Sequence, residues 1–300
     1  MTSEEAQALQ IAGRYSDVLR GAVREQVAAH TAGRDADELR WSLWAAKACR
    51  FLGRATEGIG HAVHAALRAR ALGRQDLLAE AAYVQALLLK STRRYDEGLA
   101  VLDWAIGQLP PDTPDFARAV FDLDRAELAL EAQRPEEARR SLARGAAVVQ
   151  SLENVRLMAW TLYLRSHFER PDIGGQLLTG AYSIAASMEC PELEWHILWR
   201  LSECMYKMAN CVAEEDCARG ALATLHRMAQ PLNAEDADAF WREGARAAFL
   251  EHMHSRFWPG IEREPSELSG TVGTGDTACD PALMPAFVQE SLRVGLPLAG

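Results

Sequence analysis

A chain of 300 residues with 49% apolar and 25% charged side chains has the composition of a globular protein able to bury a core, so disorder is not its default state. A formal net charge of −10 argues against a protein that grips a nucleic-acid phosphate backbone, which needs a basic footprint. The first residues lack a basic and apolar leader, and no run of about 18 apolar residues occurs, so a cytoplasmic protein without membrane insertion is expected. Cysteines 49, 190, 204, 211, 217 and 279 form no CxxC pair or regular framework and read as free thiols of a reducing compartment.

The predicted elements are set out by a mark that recurs every 20 residues: Gly13-Arg14, Gly33-Arg34, Gly53-Arg54 and Gly73-Arg74, with Ala- and Leu-rich sequence between. Glycine tolerates the left-handed conformation that ends a helix, so each pair reads as a stop and a new start. Two such units make a helical hairpin. Alternate marks align as a 40-residue repeat: Gly13-Arg14-Tyr15-Ser16-Asp17, Gly53-Arg54-Ala55-Thr56-Glu57, Arg93-Arg94-Tyr95-Asp96-Glu97 and Gln133-Arg134-Pro135-Glu136-Glu137. Glu169-Arg170-Pro171-Asp172 follows after 36. The acid falls in the first turn of the next helix, at the positive end of its dipole, and Pro135 and Pro171 suit the same place.

Downstream, small residues superpose at Gly58, Gly98, Ala138 and Gly174, followed by Ala62, Leu102, Leu142 and Leu178. Self-similarity at such a period signals stacked units, each unable to bury its apolar face alone. About thirteen helices are expected, ending near Arg256, with a last long one at about 234–255 capped by Asn233. Residues 257–282 are rich in Gly, Thr, Ser and Pro and read as a linker. Over 283–296, Leu283, Met284, Phe287, Val288 and Leu292 define a short amphipathic tail helix.

These features resemble tetratricopeptide repeats. The small residues Ala46, Ala86 and Ala126 fall in the first helix of each hairpin, the turn is tight, and Ala65, Ala105 and a closing Pro110 follow. The likeness covers roughly residues 10 to 150 and loosens toward 230. The period exceeds the family's usual one of about 34, implying longer helices, and the repeats after Gln133 lack the glycine turn. The resemblance implies an all-α, right-handed superhelical solenoid of antiparallel helix hairpins over 1–256, whose concave face is made by the first helices and holds a partner. The segment from Cys217 to Phe249 is also similar to repeat regions appended to bacterial signalling kinases and ATPase regulators, which implies a regulatory setting.

On that alignment Lys47, Lys90 and Lys207, with Arg40, Arg50 and Arg200, share first-helix faces, a basic groove suited to an acidic peptide or a terminal carboxylate. Phe51, Tyr83 and Tyr163 fall where they would touch the partner. Glu80, Glu127 and Glu131 occupy the same faces, so these charges equally read as a solvated surface. Trp41, Trp44, Trp160, Trp195 and Trp199 read as packing between hairpins. His61 and His64, and His252 and His254, have no third ligand at a recognisable spacing, so no metal is expected. The chain carries no Walker loop, dinucleotide fingerprint, HExxH or GxSxG, so neither enzymatic activity nor a cofactor is expected. The expected function is a scaffold or adaptor that binds a peptide or helix in the groove. The alternative is a ligand- or peptide-sensing regulator, and the tail helix is a second surface, docking on the repeats or on a partner.

Overall fold

The computed structural model describes residues 1–11 and 13–257. The linker 257–282 and the tail residues Leu283, Met284, Phe287, Val288 and Leu292 lie outside the described residues, apart from Phe257. The described residues form fourteen helices and fall into two compact units. The first unit comprises Met1–Leu152 and Ala229–Ala248; the second comprises Glu153–Met228 and, among the described residues, 249–257.

The first unit contains α1 (Ser3–Ile11), α2 (Tyr15–Thr31), α3 (Asp35–Leu52), α4 (Ala55–Ala71), α5 (Gln75–Ser91), α6 (Tyr95–Gly107), α7 (Asp115–Glu131) and α8 (Pro135–Leu152). Each packs on the next, α3 also packs on α5, and α13 (Ala234–Arg242) returns to pack on α3. The aligned small residues sit at the crossings. Ala46, Ala55 and Ala62 meet Val84 and Leu88, while Leu39, Leu43, Ala65 and Ala69 meet Leu77, Leu78 and Ala81. A Cβ on Gly58 would come within 2.7 Å of a Leu88 methyl and 2.8 Å of Cys49 Cβ, so α4 approaches its neighbours more closely than alanine would allow. The second unit contains α9 (Val155–Arg165), α10 (Pro171–Ser187), α11 (Pro191–Lys207) and most of α12 (Cys211–Ala229), with α10 packed on both α9 and α11.

The turn mark persists where its glycine is lost. Gly13, Gly33, Gly53 and Gly73 have φ of 65–76°, and Arg93, Gln133, Glu153, Glu189 and Ala209 adopt the same left-handed state at 48–59°. In eight of these turns the amide after the left-handed residue donates to the carbonyl five positions back, as Arg54 N does to Cys49 O at 2.9 Å and Asn210 N does to Met205 O at 3.0 Å. The following arginine then pairs with the acid of the new helix: Arg34 with Asp37 at 2.9 Å, Arg54 with Glu57 at 3.2 Å and Arg94 with Glu97 at 2.6 Å, and Arg170 pairs likewise with Asp172 at 3.0 Å although Glu169 before it is not left-handed. The repeated acid thus answers both the helix dipole and the arginine before it.

The long helix expected at 234–255 is two helices, α13 and α14 (Gly244–Phe257), which raises the expected count of thirteen. Asn233 does cap α13, its side-chain oxygen accepting from Asp236 N at 2.9 Å. Glu243 then turns extended, at φ −57° and ψ 139°, and its carboxylate accepts from Ala245 N and Arg246 N at 3.1 Å each, starting α14 afresh. The break turns Arg246 inward, where it is 2% exposed, lies 3.8 Å from the Phe240 ring and donates to Phe51 O at 3.1 Å and Phe240 O at 3.3 Å.

Candidate functional site

In the first unit α3, α5 and α7 are the first helices of successive repeats, and the residues singled out from sequence bridge them. Lys47 Nζ donates to Glu80 at 2.7 Å and lies 5.2 Å over the Trp44 ring. Tyr83 Oη donates to Asp124 at 2.6 Å and its ring stacks on Phe121 at 4.5 Å. Lys90 pairs with Glu127, both side chains largely buried. Arg50 lies 5.1 Å over the Phe51 ring, and its charge offsets that of Asp124. Burial raises the Asp124 carboxyl above its ordinary value, against the opposing pull of Arg50, Tyr83 and Lys90. Phe51 is a core residue stacked on Tyr15 at 4.7 Å, and Arg40 is exposed. These cations therefore join one repeat to the next through internal carboxylates.

In the second unit Tyr163 is buried, edge-on to Trp160, His167 and His196, so it too serves the core. Arg200 donates to Glu203 at 2.6 Å and to Ser166 O at 3.2 Å, and Lys207 is exposed at the end of α11. His167 is held neutral: burial first, then the charges of Arg200 and Lys207, push it down to about 3. Trp195 is buried and stacks at 5.9 Å on Trp199, one turn along the same helix.

The first unit also presents an apolar cleft on its second-helix side. A cavity of about 370 Å³ is lined by Val63, Ala66, Leu67 and Arg70 of α4, Leu78, Ala82 and Gln85 of α5, and Ala100, Val101 and Trp104 of α6. Leu67 is 61% exposed and Trp104 41%. Sequence reasoning passed over both, because each looks like an ordinary surface residue until α4 and α6 are set side by side. A Trp exposed on a second helix was the available signal.

His61 and His64 diverge. His64 Nε2 lies 2.9 Å from Glu38, whose buried carboxylate also meets His30 at 3.2 Å and Arg68 at 3.2 Å. Burial opposes ionisation of Glu38, but these partners together hold it below the usual carboxylate value. His61 instead joins Cys49 and Glu57, the donor atoms of all three lying within 4.8 Å of one another. Burial and the nearby Glu57 charge push the Cys49 thiol up to about 12, and burial lowers His61.

The fold is that of an all-helical repeat protein built from antiparallel hairpins, and among the described residues no helix is long and apolar enough to cross a membrane. No family model and no curated protein matches the chain. Among solved structures it is similar to BtubC (BKLC) from P. vanneervenii, with a TM-score of 0.50 and 16% identity over 88% of this chain and 97% of that one. At that identity the likeness is one of fold.

Proposed function

We propose that this chain is a tetratricopeptide-like interaction module, working in the cytoplasm as a scaffold or adaptor, that holds a peptide or helix of a partner protein by apolar anchors seated between α4, α5 and α6. The observation that carries this reading is the cleft, where Val63, Leu67 and Trp104 stay exposed around an apolar floor of Leu78 and Ala82. A large aromatic beside a concave apolar surface is the usual composition of an interaction hot spot. Arg70 on the rim suits an acidic residue of the partner. The first-helix face supports the reading less, because Lys47 and Lys90 are already engaged by Glu80 and Glu127. A bacterial regulatory or assembly setting belongs to the same reading.

The alternative, a ligand-sensing regulator, draws on the same cleft, since about 370 Å³ lies within the range of small-molecule sites. The test is affinity capture from the native cell with the full chain, with Leu67→Glu and with Trp104→Glu. A partner captured by the native chain and lost with both folded variants supports the module. Undiminished capture by both removes the cleft from the function, and a melting temperature raised by a small ligand with no protein captured favours the alternative.

A further inference from the structure

Cys49 lies in the last turn of α3, while Glu57 and His61 lie in the first two turns of α4, four residues apart on one helix face. The Gly53 turn folds them together, and one donor atom from each lies within 4.8 Å of the other two. We propose that the Cys49 sulfur, a Glu57 carboxylate oxygen and a His61 ring nitrogen form a binding site for a divalent cation of the zinc class, with a fourth position left to water. A thiolate with an imidazole selects a borderline-soft transition metal over magnesium or calcium. Three protein donors with one open position is a recognised zinc arrangement.

The surroundings favour the site. Glu57 turns one oxygen toward His61 Nε2, at 4.0 Å, while the other accepts from Arg54 at 3.2 Å. Arg54 is itself held by Glu235 and Asp236 of α13, so the carboxylate is oriented by an outer layer of charge. Bonds of about 2.0–2.3 Å around a tetrahedral metal put donor atoms roughly 3.3–3.8 Å apart. The present separations, none above 4.8 Å, therefore close by at most about 1.5 Å on binding, a shift that rotation of the partly exposed Glu57 and His61 side chains can make. Binding forms the sulfur–metal bond as the S–H bond breaks, and the proton passes to solvent. Cys49 is 0% exposed, so it meets the metal from the interior side while His61 and Glu57 meet it from the rim. The bound metal clamps α3 to α4 across their turn.

The test is titration of the full-length chain with Co²⁺, followed by the near-ultraviolet thiolate-to-metal absorption. One equivalent is expected to produce that band, Zn²⁺ to displace it, and Cys49→Ser to abolish it, while Cys211→Ser, which removes an exposed thiol on α12, leaves it unchanged. Because Cys49 is a core residue, His61→Gln supplies an independent variant at a partly exposed position, and its Co²⁺ affinity is expected to fall at least about tenfold. The proposal is overturned by a missing thiolate band, by a band that survives Cys49→Ser, or by unchanged affinity in His61→Gln.

Discussion

Lys90 and Glu127 form a pair whose side chains are 14% and 4% exposed, and such a pair does most harm when half of it is removed. Lys90→Met should cost about 3 kcal/mol by leaving a buried carboxylate unmatched, and Lys90→Met with Glu127→Leu should recover most of that loss, both read by urea denaturation. If the single variant matches the native chain, the pair is not structural. Charge reversal at Lys90 would consequently report on the fold before it reported on any partner. The left-handed turn residues make a second case. Ala209 has φ 57° with a Cβ, and Ala209→Gly should stabilise by about 1 kcal/mol. At Gly53 a Cβ would meet Ala239 O at 2.2 Å, whereas at Gly33 nothing lies within 4 Å. Gly53→Ala should therefore cost clearly more than the roughly 1 kcal/mol of Gly33→Ala, and equal midpoint shifts for the two would contradict the contact with α13.

At the level of elements, the sequence made the turns legible through glycine, because a left-handed residue followed by arginine and an acid leaves a composition trace. At Arg93 and Gln133 the glycine is gone and only the 40-residue register marks the turn, whereas at Glu153, Glu189 and Ala209 the backbone keeps the state and the residue type hides it. The break between α13 and α14 was hidden for another reason. Residues 234–257 keep a helical composition, and what divides them is a long-range demand: Arg246 must reach Phe51 O, 195 positions earlier, and Gly244 must fit against Ser91 O, where a Cβ would lie at 2.7 Å. Arg246→Ala removes donors to two buried carbonyls and the contact with Phe240, and should cost about 3 kcal/mol. Amide exchange should show the loss first in α13. Unchanged protection there would mean that α13 is held on α3 without this guanidinium.

At the level of the whole molecule, residue types were legible and their pairings were not. Lys47 finds Glu80 and Tyr83 finds Asp124 across 33 and 41 positions, separations set by helix packing rather than by any motif, and for the same reason Cys49 was not connected with His61. Acidic net charge likewise concealed how partly buried histidines set the response to pH. His61, His167 and His226 all have pKa values lowered by burial, so the folded chain resists the proton that the unfolded chain accepts at about 6.5. Stability supplied by neutral His167 is complete above that value and is lost as pH falls from about 6.5 toward its folded value of about 3. Glu38, with its folded value lowered, adds to the loss only below the ordinary carboxylate range, whereas Asp124 and Glu194, raised by burial, act in the opposite sense. Between pH 7.5 and 5 His167 alone should therefore remove about 2 kcal/mol from the unfolding free energy. In His167→Phe that part of the slope should vanish while the contribution of the other histidines remains, as measured by urea unfolding followed by tryptophan fluorescence at each pH. Parallel pH profiles for the native chain and the variant would show that His167 accepts its proton in the fold, and that neither burial nor the charges of Arg200 and Lys207 keep it neutral.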